Sequence, residues 1–156
     1  MPTARLFDTF RARLGEVIDL RMATAVLQWD QEVCMPPKGA AARGRQIATL
    51  SALAHRLFTT EEMGRLLWEL GGACDALSPD QAKLVEETAY DYERARQLPE
   101  AFVERFAEEQ SKAYETWTRA RAASDFAQFQ PHLETIVELL RQKAEYHGYA
   151  ETPYDA

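Results

Sequence analysis

Imidazoles are the side chains in this chain best suited to hold a hydrolytic metal, and there are three of them: His55, His132 and His147. Zinc hydrolysis needs two imidazoles on one helix face with a general base beside them, as in H-E-x-x-H. None of the three has a helical-spacing partner that would preorganise such a site, so they read as solvated or capping residues. Cys34 and Cys74 lie far apart, in no metal-like spacing and with no nucleophile signature. No Gly-rich phosphate loop and no G-x-S-x-G elbow occurs. Glutamates are plentiful, but on helix faces such charges are usually solvated ion-pair partners. Residue types and spacing therefore assign no catalytic and no metal-ligating residue.

One stretch still concentrates polar and aromatic groups: "QWDQEVCMPPKGAAARGRQIATL", residues 28–50. Asp30 and Glu32 stand two apart, so they do not share a helix face and make a poor bidentate pair. Trp29 continues an apolar stripe, which predicts a core position. Asp30 fits a turn role, accepting from nearby backbone donors. Lys38, Arg43 and Arg45 fall near the start of the next helix, where the dipole favours an anion such as a peptide carboxylate. A solvated basic face is the competing reading of those three.

These residues must be positioned by helices. Leu6, Phe7, Phe10, Leu14, Val17 and Ile18 recur at three- and four-residue steps, and Met22, Ala25 and Trp29 extend the series. Gly15 leaves open one long helix or two shorter ones. "MPPKG" stops the pattern, because residues before proline are pushed to extended geometry. A second helix is expected from about Ala40 to Phe58. A third, short helix follows, with Thr59 and Glu62 as its capping box and Gly71-Gly72 as its stop. Ser78, Pro79 and Gln81 open a fourth that runs to about Gln97. Pro99 starts a fifth, with Phe102, Phe106, Ala113, Trp117 and Ala120 on one face, broken near Ser124. The last places Leu133, Ile136, Val137, Leu140 and Ala144 inward and ends at Gly148. No run of Val, Ile and Thr alternates as a strand would. The expectation is an all-α domain over residues 1–147, with 148–156 as a tail lacking structure of its own.

Bulk properties narrow the partners. A chain of 156 residues fits one domain and buries a sizeable core without a staple. Net charge is −7, from 18 basic and 25 acidic residues, and the bases do not cluster. Such a surface disfavours nucleic acid and anionic membranes. Two isolated thiols and the lack of a signal-like or membrane-length apolar run suggest a cytoplasmic protein.

"WDQEVCMPPKGAAARGRQIATLSALAH" resembles the N-terminal region of the family-32 zinc metallocarboxypeptidases, the thermostable carboxypeptidase Taq type. The resemblance continues, collinear, through "DYERARQLPEAFVERFAEEQSKAYETWTRARAASDFAQFQPHLETIVELLRQKAEYHGY" to the closing "PYDA". It implies a multi-helix, groove-wall portion of a mostly helical zincin-like peptidase that removes single C-terminal residues from peptides. It also implies zinc or another divalent metal, and a homodimer, for the full-length enzyme. The family's metal ligands are the histidines of H-E-x-x-H and a later glutamate, and no residue here matches them. Trp29, Asp30, Lys38, Arg43 and Arg45 are then structural or at most accessory groove-wall positions. The abrupt "PYDA" reads as a cut ahead of an absent catalytic half, by construction or by natural truncation. A stand-alone, non-catalytic interaction or dimerisation module is the alternative.

Overall fold

The computed structural model describes residues 2–156, and every regular element among them is helical. Six α-helices follow in order: α1 (Thr3–Val33), α2 (Ala40–Phe58), α3 (Glu61–Gly71), α4 (Pro79–Ala95), α5 (Glu100–Ala123) and α6 (Phe126–His147). Short 3₁₀ turns occupy Pro37–Gly39, Cys74–Ala76 and Pro153–Asp155. The all-α expectation holds.

Gly15 does not break α1, which runs unbroken for 31 residues. The start of α3 is one residue later than the sequence suggested. Thr60, not Thr59, is the N-cap, and its hydroxyl accepts from the Met63 N–H at 3.3 Å. Thr59 instead returns its hydroxyl to the His55 carbonyl. The Ser78 box forms as read: Gln81 N–H donates to Ser78 Oγ while the Ser78 N–H donates to the Gln81 side chain. α4 ends at Ala95, slightly short of the expected Gln97. Ser124 closes α5 in the left-handed region at φ 53°.

The packing is serial. α5 lies chiefly on α2, α2 on α1, and α6 on α5, while α3 packs on α1 and α4. The main core joins Leu6, Phe7, Phe10, Leu14 and Val17 of α1 to Phe58, the α3 leucines, Met63, Val85 and Tyr92. Where α2 meets α5 the contact is made by small residues: Gly44 sits so near Ser111 that an added Cβ would lie 3.4 Å from its Oγ. Small side chains let two helices approach closely, which fixes the second half of the molecule tightly to α2.

Two expected faces are misplaced. α6 buries Leu139 and Ala144, whereas Leu133, Val137 and Leu140 stay 38–48% exposed. α6 is an edge helix packed chiefly on α5, apart from the terminal turn, so only a narrow line of it is covered. Trp117 is likewise 37% exposed, its ring beneath the Arg121 guanidinium at 5.2 Å. The terminal residues are also less featureless than expected. Thr152 and Asp155 cap the last 3₁₀ turn, and that turn rests on α6.

Candidate functional site

The joint at residues 28–40 is built by the end of α1, the Pro36-Pro37 break and the start of α2. Asp30 ties it together in two ways. Its backbone carbonyl accepts from the Cys34 and Met35 N–H groups at 2.9 and 2.8 Å, finishing the helix. Its carboxylate pairs with the Arg43 guanidinium at 2.6 Å. Arg43 also donates to the Leu27 carbonyl at 2.7 Å and to Gln46 Oε1 at 3.2 Å. With its side chain only 15% exposed, Arg43 is a clamp between α1 and α2 and not part of a solvated basic face. A guanidinium engaged by a carboxylate and a carbonyl has little left to offer a free anion. Lys38 and Arg45 are exposed and fit the solvated reading.

Trp29 overturns the core assignment: it is 60% exposed. Past Val17 the inward positions of α1 pass to Thr24 and the half-buried Leu27 and Gln31, while Met22, Ala25 and Trp29 turn outward. The apolar series in the sequence thus spans two different faces.

Gln31 brings in a partner that the sequence did not suggest. Its Nε2 donates to the Ser111 carbonyl at 3.4 Å, and the Ser111 hydroxyl donates to its Oε1 at 3.1 Å. This links α1 to α5 across 80 positions, and no local pattern encodes so distant a pair. Two clefts open beside it. One, of about 280 Å³, is lined by Gln28, Gln31, Glu32, Gln110, Ser111 and Tyr114 with Ile47 and Ala107. The other, of about 210 Å³, shares Gln31, Glu32 and Tyr114 and reaches Met35, Pro37 and Arg119. Both are shallow, and their polar lining is amide, hydroxyl and carboxylate, joined in the second by the Arg119 guanidinium. Such groups can hydrogen-bond a peptide backbone, but they supply no nucleophile–base pair.

The histidines serve the scaffold. His55 donates its Nε2 N–H to the Leu98 carbonyl at 2.9 Å, and His147 Nδ1 meets Gln97 Oε1 at 2.9 Å. Together they hold the α4–α5 loop from α2 and from the end of α6. His132 meets the Thr116 hydroxyl at 3.2 Å across the α5–α6 seam. Burial lowers the pKa of His55 below the ordinary histidine value, outweighing the stabilising Leu98 carbonyl and Glu100. Burial, then Arg94 and Lys143, lowers that of His147. Among the described residues no three of His, Cys, Asp and Glu converge as metal ligands would. The residues present do not fit a zinc site.

Comparison with known proteins gives the context that the site lacks. Residues 9–156 match the family model for the carboxypeptidase Taq (M32) metallopeptidases. The chain belongs to the M32 family. Carboxypeptidase 1 of Bacillus subtilis is 35% identical over 134 residues, covering 86% of this chain and 27% of the relative. Thermostable carboxypeptidase 1 of Pyrococcus furiosus is 36% identical, with the same coverage. The BsuCP crystal structure superposes on 97% of this chain at a TM-score of 0.93 and 32% identity, using 30% of its own length. The Pyrococcus furiosus carboxypeptidase (Apo-Mg) gives 0.71 over 96% of the chain at 31% identity. The chain therefore spans about a quarter of the curated relatives it matches.

Proposed function

We propose that this chain is the N-terminal helical portion of a metallocarboxypeptidase, walling the groove through which a peptide presents its free C-terminus. The observation that carries the reading is the match to BsuCP: nearly all of this chain superposes on under a third of that structure. On this reading zinc or another divalent metal, its ligands and the general base belong to the rest of the enzyme, and single C-terminal residues are released there. The Asp30–Arg43 clamp and the Gln31–Ser111 link set the angle of α1 against α2 and α5. The amide- and hydroxyl-lined clefts beside them offer hydrogen bonds to extended peptide. Trp29, Lys38 and Arg45 stand at the periphery of that wall. Cytoplasmic residence agrees with two exposed free thiols, Cys34 and Cys74. No helix among the described residues is long and apolar enough to cross a membrane.

The test is direct. Zinc is titrated into the metal-stripped chain, and release of C-terminal residues from a blocked dipeptide and a longer peptide is assayed. The expected result is neither stoichiometric submicromolar binding nor turnover. A hydrolytic site needs about three converging ligands, an open position and a base, and this chain brings no such set together. Chelator-sensitive turnover by the chain alone would overturn the division of labour. A stand-alone, non-catalytic interaction module is the second reading, favoured by the exposed apolar face of α1.

A further inference from the structure

Asp30 and Glu32 stand two apart at the end of α1, so their side chains leave the helix about 160° from each other. Asp30 turns to α2 and is met by Arg43 at 2.6 Å. Glu32 turns to the seam with α5, where it borders both clefts. Glu115, the other acid beside the clefts, is paired with Arg119 at 3.2 Å. Glu32 is exposed and has no counter-ion among the described residues. It also lies in the last turn of α1, which carries no basic residue. The negative end of the helix dipole adds there to the charge of the carboxylate, and both attract a cation.

The first cleft supplies the other groups a cationic side chain needs. Its volume of about 280 Å³ is near the lower end of the range for ligand pockets, about 300 Å³, which suits one long side chain. Glu32 is the only ionic group in its lining. The amide and hydroxyl oxygens of Gln28, Gln110 and Tyr114 can accept from an ammonium or a guanidinium. Ile47 and Ala107 offer apolar contact to a methylene stem. Ser111 is only 8% exposed, and its two bonds to Gln31 hold that amide in place. An anionic side chain would meet Glu32 with nothing to offset it. Arg119 lines the second cleft only and is engaged by Glu115 and the Thr116 hydroxyl.

We propose that the first cleft is a cation subsite that seats the lysine or arginine side chain of a bound peptide, with the Glu32 carboxylate as its counter-ion. That the cleft takes a cation follows from its own lining, and that the cation belongs to a peptide rests on the groove-wall reading. On that reading the released residue sits at the metal, whose ligands lie outside this chain, so the side chain seated here belongs to the retained part of the peptide. An exposed ion pair favours its ligand about two- to fivefold, so Glu32 tunes the choice among peptides and does not hold one alone.

NMR titration of the whole isotope-labelled chain tests it. The probes are an Ala-Arg-Ala peptide blocked at both ends, its norleucine and glutamate counterparts, and N-acetylarginine amide. The arginine peptide should bind weakly, in the millimolar range, with shifts centred on Gln28, Glu32, Ser111 and Tyr114. It should bind about two- to fivefold more tightly than the norleucine peptide, and the glutamate peptide should bind more weakly than either. High salt should narrow these differences. Glu32→Gln should erase them, and Glu32→Lys should reverse them in favour of glutamate, both with an unchanged helical circular dichroism spectrum. Equal binding of the arginine and norleucine peptides, a preference that survives Glu32→Gln, or shifts centred elsewhere would each overturn the inference. The single residue separates this from the groove-wall reading. N-acetylarginine amide binding at Glu32 as tightly as the peptide would uphold the cation subsite and count against a peptide-holding wall. Failure of both arginine probes to bind there would overturn the inference and leave the groove-wall reading standing.

Discussion

At the scale of single residues, Arg43 is the side chain on which the joint depends most. Removing it leaves Asp30, whose side chain is a third exposed, without its partner and the Leu27 carbonyl without a donor. Arg43→Ala is expected to cost about 1.5–3 kcal/mol in denaturant unfolding, the range for a hydrogen-bonded charge. Arg43→Lys should recover only part of this, since an ammonium cannot reproduce the fork. Trp29→Ala should change the melting midpoint little, within about 0.5 kcal/mol, because the indole is mostly in water. A large loss there would restore the core reading. The histidines set a pH dependence. Both His55 and His147 have folded pKa values below the unfolded value near 6.5, so the unfolded chain binds protons more readily. Their contribution to stability is complete above about pH 6.5 and is lost as pH falls through the folded values. Thermal melts from pH 8 to 5 should show the midpoint falling on the acid side. His55→Gln should flatten that fall relative to the parent.

At the scale of elements, helix identity was legible because each boundary carries local chemistry: Pro36-Pro37, Gly71-Gly72, Ser78-Pro79 and Gly148. Which face each helix buries was less legible. Periodicity reports an apolar arc without saying which neighbour covers it, and α1 and α6 each carry more apolar surface than this chain covers. The joint was legible as a place, but the Asp30 carboxylate, expected to accept from backbone donors, meets Arg43 instead. The pairings Asp30–Arg43 and Gln31–Ser111 were not legible, since ion pairs and amide links between helices follow from packing angles and not from spacing. Gly15 on α1 and Gly64 on α3 show the same distinction. An added methyl at Gly15 meets nothing within 4 Å, so Gly15→Ala should raise stability by about 0.5–1 kcal/mol. At Gly64 it would overlap the Tyr92 hydroxyl and ring, and that hydroxyl donates to the Thr60 carbonyl at 3.2 Å. Gly64→Ala should therefore lower the melting midpoint despite alanine's better helix propensity. Equal shifts at the two positions would show that the Tyr92 contact matters little.

At the scale of the molecule, the chain resolves into a scaffold with one organised seam and two uncovered apolar faces. The main core lies where α1, α3, α4 and the end of α2 meet, whereas α5 packs on α2 and α6 on α5. An open serial array of this kind suits one wall of a larger helical enzyme better than an enclosed catalytic centre. Fold and family were readable from the sequence, because the "WDQEVCMPP" joint and the long α5–α6 stretch lie collinear with M32 enzymes.

The central claim is that this chain is the groove-wall portion of a carboxypeptidase whose metal chemistry lies in the rest of the enzyme. A chimera tests it most directly: the corresponding segment of Bacillus subtilis carboxypeptidase 1 is replaced by this chain, and release of C-terminal residues is measured with and without chelator. The account predicts metal-dependent release by the chimera and none by this chain alone. A folded chimera without activity, or release by this chain alone, would contradict it.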